Sequence, residues 1–233
     1  MVTHFTHPFS LILAGPSGAG KSSFATALIE NLDICVQPRI LKIIWCYAEI
    51  SSIPKRLKSR LNVPIQFHEG VPEKFENPLN IPTLIVLDDL MLESDNKRVC
   101  ELFTRGSHHR SLSVVLLTQN FFVKGNRCRD ISLNAKYIVI FKNPRDKAQF
   151  QYLARQIYPE NPRELVRVYN EQTARPFTYI LFDLTQDTHP LLRYRTNIFD
   201  KDGCVVFCEK PTISSENVQI ETFDGIPTYA LRT

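Results

Sequence analysis

The sequence lacks any long apolar run. None of its hydrophobic stretches approaches the roughly 18–20 residues that a membrane-spanning helix requires. The N-terminus has no basic region followed by a long apolar segment, so it does not have the pattern of a secretory signal. Internal repeats and low-complexity tracts are also missing. We therefore expect a soluble, intracellular protein that has no membrane partner and is not secreted.

Cysteine has no clustered arrangement, and the six cysteines are scattered over the 233 residues. This usage is typical of a reducing compartment, in which disulfides do not persist. Cys204 and Cys208 lie close in sequence, but no second Cys or His pair accompanies them, so we interpret them as strand residues rather than zinc ligands. His108 and His109 also lack matching ligands, and we expect them to make polar contacts in a loop.

Strong net charge is absent too, since the total is only +4, but the charge is unevenly distributed. Residues 97–175 hold fifteen Lys and Arg against six Asp and Glu, while the segments on either side are slightly acidic. A basic block of this kind indicates either a polyanionic partner such as nucleic acid or merely a solvated basic face. Charge alone does not decide between them.

Residues 15–22 match the complete G-x-x-x-x-G-K-[ST] phosphate-binding loop, between an apolar run and a helical pattern. Glycines let backbone N–H groups close around phosphate oxygens, and the helix N-terminus adds the positive end of its dipole. Lys21 would reach the β- and γ-phosphates of ATP, and Ser22 would ligate Mg²⁺. The predicted nucleotide-binding residues are Gly15, Pro16, Ser17, Gly18, Ala19, Gly20, Lys21, Ser22 and Ser23.

Short continuous apolar runs predict strands that are buried on both faces of a parallel sheet. They lie at 11–14, 40–47, 64–68, 84–87, 113–118, 137–141 and 178–183, and helical patterns occupy 22–32, 54–61, 97–107, 145–157 and 162–171. This alternation predicts an α/β P-loop NTPase fold, a mostly parallel sheet with helices on both faces. Two of the strands separate the phosphate loop (Walker A) from the next acidic motif, which indicates an added strand between the Walker A and Walker B strands.

The apolar run at 84–87 ends in Asp88 and Asp89, the position at which P-loop ATPases manage Mg²⁺ and the attacking water. Asp88 would hold the metal, and Asp89 would orient or deprotonate the water. The run at 113–118 should lie beside the phosphate-loop strand and ends at Gln119, whose amide can contact the γ-phosphate or the water. Arg105 and Arg110 precede that run, and either could act on a neighbouring subunit's nucleotide, contact DNA or be a surface charge.

These motifs together resemble the viral branch of the FtsK–HerA superfamily. More narrowly, they resemble DNA-packaging ATPases of adintoviruses and Polinton (Maverick) elements, which are related to the poxvirus and tectivirus packaging ATPases. The resemblance rests on the segments at 15–22, 84–89 and 105–120, and extends through 136–146, 179–183 and 192–199. It therefore covers roughly residues 8–199.

The resemblance implies a homo-oligomeric ring, of about five or six subunits, that hydrolyses ATP and drives double-stranded DNA into a capsid. Its partners would be DNA, further copies of itself and a capsid vertex or portal protein, in the host nucleus or cytoplasm or in the virion. Lys21, Asp88, Asp89, Gln119 and one of the two arginines would be catalytic. We expect a packaging-ATPase domain over residues 1–199 and a C-terminal extension over 200–233, either a hairpin or partly disordered. Lys124, Arg127 and Arg129 form a basic cluster that could grip DNA.

Two other functions stay open from the sequence. A nucleotide or small-molecule kinase would transfer phosphate to an acceptor, but no convincing lid segment is present. A slow NTPase switch is compatible with Asp at position 89, where many ring ATPases have Glu.

Overall fold

The computed structural model describes residues 5–58, 61–90, 97–106, 111–121, 126–200, 205–208, 222–223 and 226–230. At residues 58, 105–106, 126–129 and 191, and after residue 200, it describes the backbone alone. The strands in chain order are β1 (Phe5–Thr6), β2 (Ser10–Ala14), β3 (Val36–Gln37), β4 (Lys42–Tyr47), β5 (Ile65–Glu69), β6 (Thr83–Asp88), β7 (Leu112–Thr118), β8 (Tyr137–Phe141), β9 (Tyr179–Asp183), β10 (Tyr194–Thr196), β11 (Val205–Cys208), β12 (Thr222–Phe223) and β13 (Ile226–Ala230).

The α-helices are α1 (Lys21–Glu30), α2 (Leu32–Cys35), α3 (Lys97–Glu101), α4 (Asn126–Leu133), α5 (Lys147–Ile157) and α6 (Pro162–Gln172). A π-helical turn (Leu102–Gly106) continues α3, and 3₁₀ turns occupy Ile50–Ser52, Lys55–Lys58 and Pro190–Leu192. Asp146 and Asn161 cap α5 and α6 by accepting backbone hydrogen bonds from Gln149 and Glu164.

In the part of the chain that the structure describes, eleven strands form one sheet in the order β12-β13-β11-β10-β9-β8-β2-β7-β6-β4-β5. The six strands from β8 to β5 are mutually parallel. Strand β7 lies beside β2, as the sequence predicts for 113–118, and its other neighbour is β6. Strands β4 and β5, which lie between β2 and β6 in sequence, are beyond β6 in the sheet. The predicted mixed α/β fold with a mostly parallel sheet is confirmed.

Alternating strand residues divide the core into two layers. On one face, Leu11 and Leu13 of β2 pack in a cluster with Phe24 and Leu28 of α1. On the other face, Ile12 of β2 belongs to a cluster to which α3, α4, α5 and α6 contribute the buried side chains Val99, Ile131, Phe150 and Leu165 respectively. Because helices cover both faces, the central strands are continuously apolar, which made them visible in the sequence.

Strand β9 corrects one sequence-based expectation. The run at 178–183 was expected in a parallel sheet, but β9 is antiparallel to β8, with Phe141 opposite Tyr179 and Tyr137 opposite Asp183. Helices α5 and α6 pack against each other between the two strands, so the chain travels away from the edge where β8 ends and then back to it. Strand β9 consequently starts at that edge.

The connection between β4 and β5 also differs from the sequence-based prediction. The helix predicted over 54–61 is a 3₁₀ turn at Lys55–Lys58, within the described residues. Ile53, Leu57 and Val63 all bury their side chains in the core, which holds the connection close to the sheet.

Beyond residue 199, β11 pairs with β10 and β13 pairs with β11. The domain boundary at residue 199 stays a prediction.

Candidate active site

The parallel strands bring the predicted site residues to one edge of the sheet. Strands β2, β6 and β7 run in the same direction, so their carboxyl ends meet there. The phosphate loop follows β2, Asp88 ends β6 and Gln119 follows β7. The loop is attached directly to β7, because the backbone N–H of Gly15 donates to the carbonyl oxygen of Thr118 at 3.1 Å. Residues from three separate motifs therefore share one site.

Two features of the loop backbone require glycine. Gly18 and Gly20 have φ angles of 76° and 114°, which are strained for residues with a side chain. At Gly15, an added Cβ would stand 2.8 Å from the Cβ of Phe141, so only glycine lets the loop pass this close to β8. The motif spacing thus matches the conformation that a phosphate cradle needs.

Helix α1 presents an uncompensated N-terminus to this loop. Gly20 is its N-cap, no side chain among the described residues caps the helix, and its first turn holds no acidic residue. The backbone N–H groups and the helix dipole therefore favour an anion at this point. Ser22 is half-buried in the first turn, while Ser17 and Ser23 are exposed and Pro16 and Ala19 are half-buried.

Lys21 folds back over the loop. Its ammonium group donates to the carbonyl oxygens of Gly15 at 2.6 Å and Pro16 at 2.9 Å. Burial lowers the pKa of Lys21, while the carboxylates of Asp89 and Asp88 oppose that shift. A cation is thus held at the mouth of the cradle and close enough to both acids to interact with them.

Asp88 is a buried carboxyl group, with only 5% of its surface exposed. Burial and the neighbouring Asp89 raise its pKa to about 6, against smaller opposing effects of Ser52, Lys21 and Trp45. Its Oδ2 atom and the indole nitrogen of Trp45 are buried without a hydrogen-bond partner in the described part of the chain. A buried carboxylate oxygen without a partner is free to accept a cation.

Asp89 and Gln119 contact each other across the site. The side-chain nitrogen of Gln119 donates to Oδ1 of Asp89 at 3.4 Å, and both side chains are exposed. Asp89 has a φ of 53°, in the left-handed region that Asp tolerates better than most residues. The chain turns sharply after β6, and Asp88 stays buried while Asp89 is exposed at the mouth of the site.

A polar network supports the end of β7 behind Gln119. The backbone N–H of Phe121 donates to the side-chain oxygen of Gln149, whose nitrogen donates to Asp146 and Asn120. The Thr118 hydroxyl in turn donates to the carbonyl oxygen of Asn120 at 2.8 Å. This network ties the loop that carries Gln119 to the N-terminus of α5. The sequence contains no motif that would have revealed it.

The structure describes only some of the residues in the arginine and DNA-contact predictions. Arg105 lies in the π-helical turn after α3, with its backbone alone described, and Arg110 lies outside the described residues with His108 and His109. Arg127 and Arg129 lie in α4 with backbone alone, and Lys124 is outside. These assignments stay predictions, as do the roles of the other site residues.

Two sequence expectations concern what the protein does not contain. None of the helices in the described ranges is long and apolar enough to cross a bilayer. Those same ranges hold no cluster of three or more His, Cys, Asp or Glu residues that could bind a metal by themselves. Cys35 and Cys46 are buried thiols, and burial raises the pKa of Cys35 to about 11.

Comparison with solved structures identifies the fold. The genome-packaging NTPase B204 of Sulfolobus turreted icosahedral virus 2, in complex with ATP-gammaS, matches with a TM-score of 0.51 and 15% identity, over 78% of this chain and 95% of that one. The DNA-packaging ATPase B204 of Sulfolobus turreted icosahedral virus matches with a TM-score of 0.50 and 13% identity, over the same shares. The chain has the fold of a P-loop NTPase.

At this level of identity the similarity shows the fold alone. A scan against models of protein families finds no match, and a sequence search of curated proteins finds none either. What the P-loop NTPase fold adds to the sequence motifs is their arrangement, because the loop, Asp88, Asp89 and Gln119 meet at one sheet edge.

Proposed function

We propose that this protein is an ATP-hydrolysing motor that translocates double-stranded DNA into a viral capsid. The observation that carries the proposal is the meeting of the phosphate loop with Asp88, Asp89 and Gln119 at one sheet edge. It is supported by a fold shared with two viral packaging NTPases, one of them in complex with ATP-gammaS. The sequence resemblance to adintovirus and Polinton packaging ATPases of the FtsK–HerA superfamily supplies the finer assignment.

Each side chain has a defined part in hydrolysis under this proposal. The loop N–H groups and the N-terminus of α1 bind the phosphates, and Lys21 leaves the carbonyls of Gly15 and Pro16 to reach the terminal phosphates. Asp89 accepts a proton from, or orients, the attacking water. Gln119 holds that water or the γ-phosphate, and its side chain already donates a hydrogen bond to Asp89.

The residues present also fit Mg²⁺, which prefers oxygen ligands. The Ser22 hydroxyl and the Asp88 carboxylate would hold it. The buried Oδ2 of Asp88, which has no hydrogen-bond partner among the described residues, is an oxygen suited to this purpose. The metal would neutralise charge on the phosphates as the bond to the γ-phosphate breaks. A pKa near 6 leaves Asp88 mostly ionised at neutral pH, as metal binding requires.

We also propose a homo-oligomeric ring in which an arginine from one subunit completes the site of the next. Arg110 is our first choice and Arg105 the alternative, since both precede β7, the strand that ends beside the phosphate loop. A guanidinium that acts in trans can accelerate hydrolysis by about 10³–10⁵-fold. The ring would dock on a capsid vertex or portal protein, in the host nucleus or cytoplasm or in the virion.

The basic block at 97–175 is the proposed contact with DNA. Its charges would bind phosphates of any sequence, which suits a motor that must move along a whole genome. Lys124, Arg127 and Arg129 follow β7 in sequence and are therefore close in the chain to Gln119. A conformational change at the nucleotide site could in this way move the residues that contact DNA.

The test is steady-state ATP hydrolysis by the full chain, with and without long double-stranded DNA, over a series of salt concentrations. We expect DNA to stimulate hydrolysis and the stimulation to fade as salt rises, because phosphate contacts weaken steeply with salt. The Lys21→Ala variant should show neither basal nor stimulated activity. Hydrolysis that DNA does not change at any salt concentration would contradict the motor.

A further inference from the structure

Phe177 is an exposed aromatic residue beside the phosphate loop. It is 68% exposed, whereas the other phenylalanines whose side chains the structure describes are buried or half-buried. Its φ of 64° lies in the left-handed region, which is strained for a bulky residue. The fold therefore holds a phenyl ring in solvent, at a cost in both burial and backbone energy, in the loop between α6 and β9.

The ring lies against the start of α1. A Cβ added at Gly20 would stand 3.4 Å from a ring carbon of Phe177 and 3.6 Å from its Cα. Phe177 also lines an open groove with a volume of about 310 Å³. The other walls are the phosphate loop and the two loops that flank it, with the lining residues Pro16, Gly18, Ala19, Lys142, Pro144 and Pro176.

The groove lies on the opposite side of the phosphate loop from the two acids. In the sheet, β8 and β9 are on one side of β2, while β7 and β6 are on the other. Lys142 and Pro144 follow β8 and Phe177 precedes β9, whereas Asp88 ends β6. A nucleotide whose terminal phosphate faced Lys21 and Asp88 would have room for its other end on the β8 side of the loop, where this groove lies.

We propose that the groove binds the nucleobase of the nucleotide and that Phe177 stacks on its face. This inference rests on the proposed function, because it assumes that the loop binds the phosphates. Stacking on an aromatic ring suits any base, since every base has a π-face. The prolines supply further apolar walls, and Lys142, which donates to the carbonyl oxygen of Ala174 at 3.4 Å, borders the groove with a positive charge.

The structure separates base binding from phosphate binding, so the test uses two probes. Isothermal titration calorimetry of the full chain with Mg²⁺ would measure the affinity for ATP-gammaS, which has a base, and for tripolyphosphate, which has none. We expect Phe177→Ala to weaken ATP-gammaS binding about tenfold, as the loss of one stacked aromatic ring implies. Its affinity for tripolyphosphate should be unchanged.

Two matched variants complete the design. Phe177→Trp should keep the affinity, and its fluorescence should change on addition of ATP-gammaS and not of tripolyphosphate. Tyr152→Ala removes another exposed aromatic ring, 62% exposed on α5, and should alter neither affinity. An equal loss for both probes in Phe177→Ala would show that Phe177 only shapes the loop, and no loss for either would also overturn the proposal.

Failure of the proposed function would look different. If the unmodified protein bound neither probe, or if Lys21→Ala bound both as tightly as the unmodified protein, the phosphate site itself would be wrong and the base site with it. If Lys21→Ala weakened both probes and Phe177→Ala weakened neither, only the stacking proposal would be overturned.

Discussion

Gln119 donates a hydrogen bond to Asp89 at 3.4 Å, although thirty residues separate them in sequence. The contact joins the ends of two strands that are neighbours in the sheet, β6 and β7. It links the residue that we assign to the attacking water with the residue that we assign to sensing the γ-phosphate. Hydrolysis and the sensing of the γ-phosphate would thus depend on one pair of side chains.

This pair should behave as a unit in catalysis. Asp89→Asn should lower kcat about 100-fold through loss of the general base, and Gln119→Ala should lower it about tenfold, with nucleotide affinity kept in both. The double variant should lose less than the product of the two effects, because the residues act together. Single-turnover hydrolysis of the three variants measures this, and fully multiplicative losses would show that the two residues act independently.

Lys21→Ala should abolish hydrolysis while the fold stays intact. The ammonium group contacts only the carbonyl oxygens of Gly15 and Pro16 among its hydrogen-bond partners in the described residues, so its loss leaves the core untouched. Lys74→Ala, which changes an exposed lysine far from the loop in sequence, is the matched control and should keep full activity. Activity assays paired with circular dichroism check this, and surviving hydrolysis in Lys21→Ala would refute the site assignment.

Asp88→Asn should stabilise the protein when nucleotide and Mg²⁺ are absent. The pKa of Asp88 is about 6 in the fold against an ordinary value of 3.8, so the folded state binds the proton more tightly than the unfolded state. This group therefore lowers the free energy of unfolding as pH rises from about 4 to about 6, by up to about 3 kcal/mol. The variant should recover that amount at pH 7.5.

Urea unfolding in EDTA at several pH values measures this effect. Asp130→Asn, which changes an exposed carboxylate on α4, serves as the control and should not stabilise the protein. A destabilised Asp88→Asn variant at neutral pH would mean that the carboxylate is well solvated or paired in the fold. The same variant should be inactive, because it loses the proposed metal ligand.

An arginine that acts in trans should allow two inactive variants to complement each other. When Arg110→Ala and Lys21→Ala subunits, each inactive alone, are mixed, ATP hydrolysis should return in part, because a site with an intact Lys21 can receive the arginine of a Lys21→Ala neighbour. Arg105→Ala in the same mixture distinguishes the two candidates. No recovery with either arginine variant would contradict an arginine that acts in trans.

The antiparallel side of the sheet depends on a buried ion pair. Arg195 of β10 donates to Asp183 of β9, and both side chains are at most 5% exposed. Arg195→Ala leaves that carboxylate buried without its cation and should lower the free energy of unfolding by about 3–5 kcal/mol. Arg39→Ala breaks an exposed pair with Asp33 and should cost less than about 1 kcal/mol. Equal small losses in chemical denaturation would contradict this account.

The core strands were predictable because they are buried on both faces. Predicted runs at 84–87 and 113–118 became β6 (Thr83–Asp88) and β7 (Leu112–Thr118), within one residue at either end. The direction of β9 was not predictable, since a buried strand is apolar whichever way it runs. Its direction follows from the packing of α5 against α6, which returns the chain to the edge where β8 ends, and the apolar pattern of a strand carries no sign of that packing.

The candidate site was also predictable only in part from the sequence. The phosphate loop could be predicted because its glycines and Lys21 stand in one contiguous segment. Trp45, Ser52 and Gln149 surround or support the site from other elements and belong to no motif. Phe177 could not be predicted from the sequence for a similar reason. A single aromatic residue in a loop is no motif, and the structure is needed to show its ring exposed beside Gly20.

Movement along duplex DNA tests the central proposal most directly. A third strand bound to a double-stranded DNA would be displaced as a motor passes, and its release can be followed by fluorescence. The account predicts displacement by the unmodified protein with ATP and Mg²⁺, and none with ATP-gammaS or by Lys21→Ala. Hydrolysis of ATP on this DNA without any displacement of the third strand would contradict it.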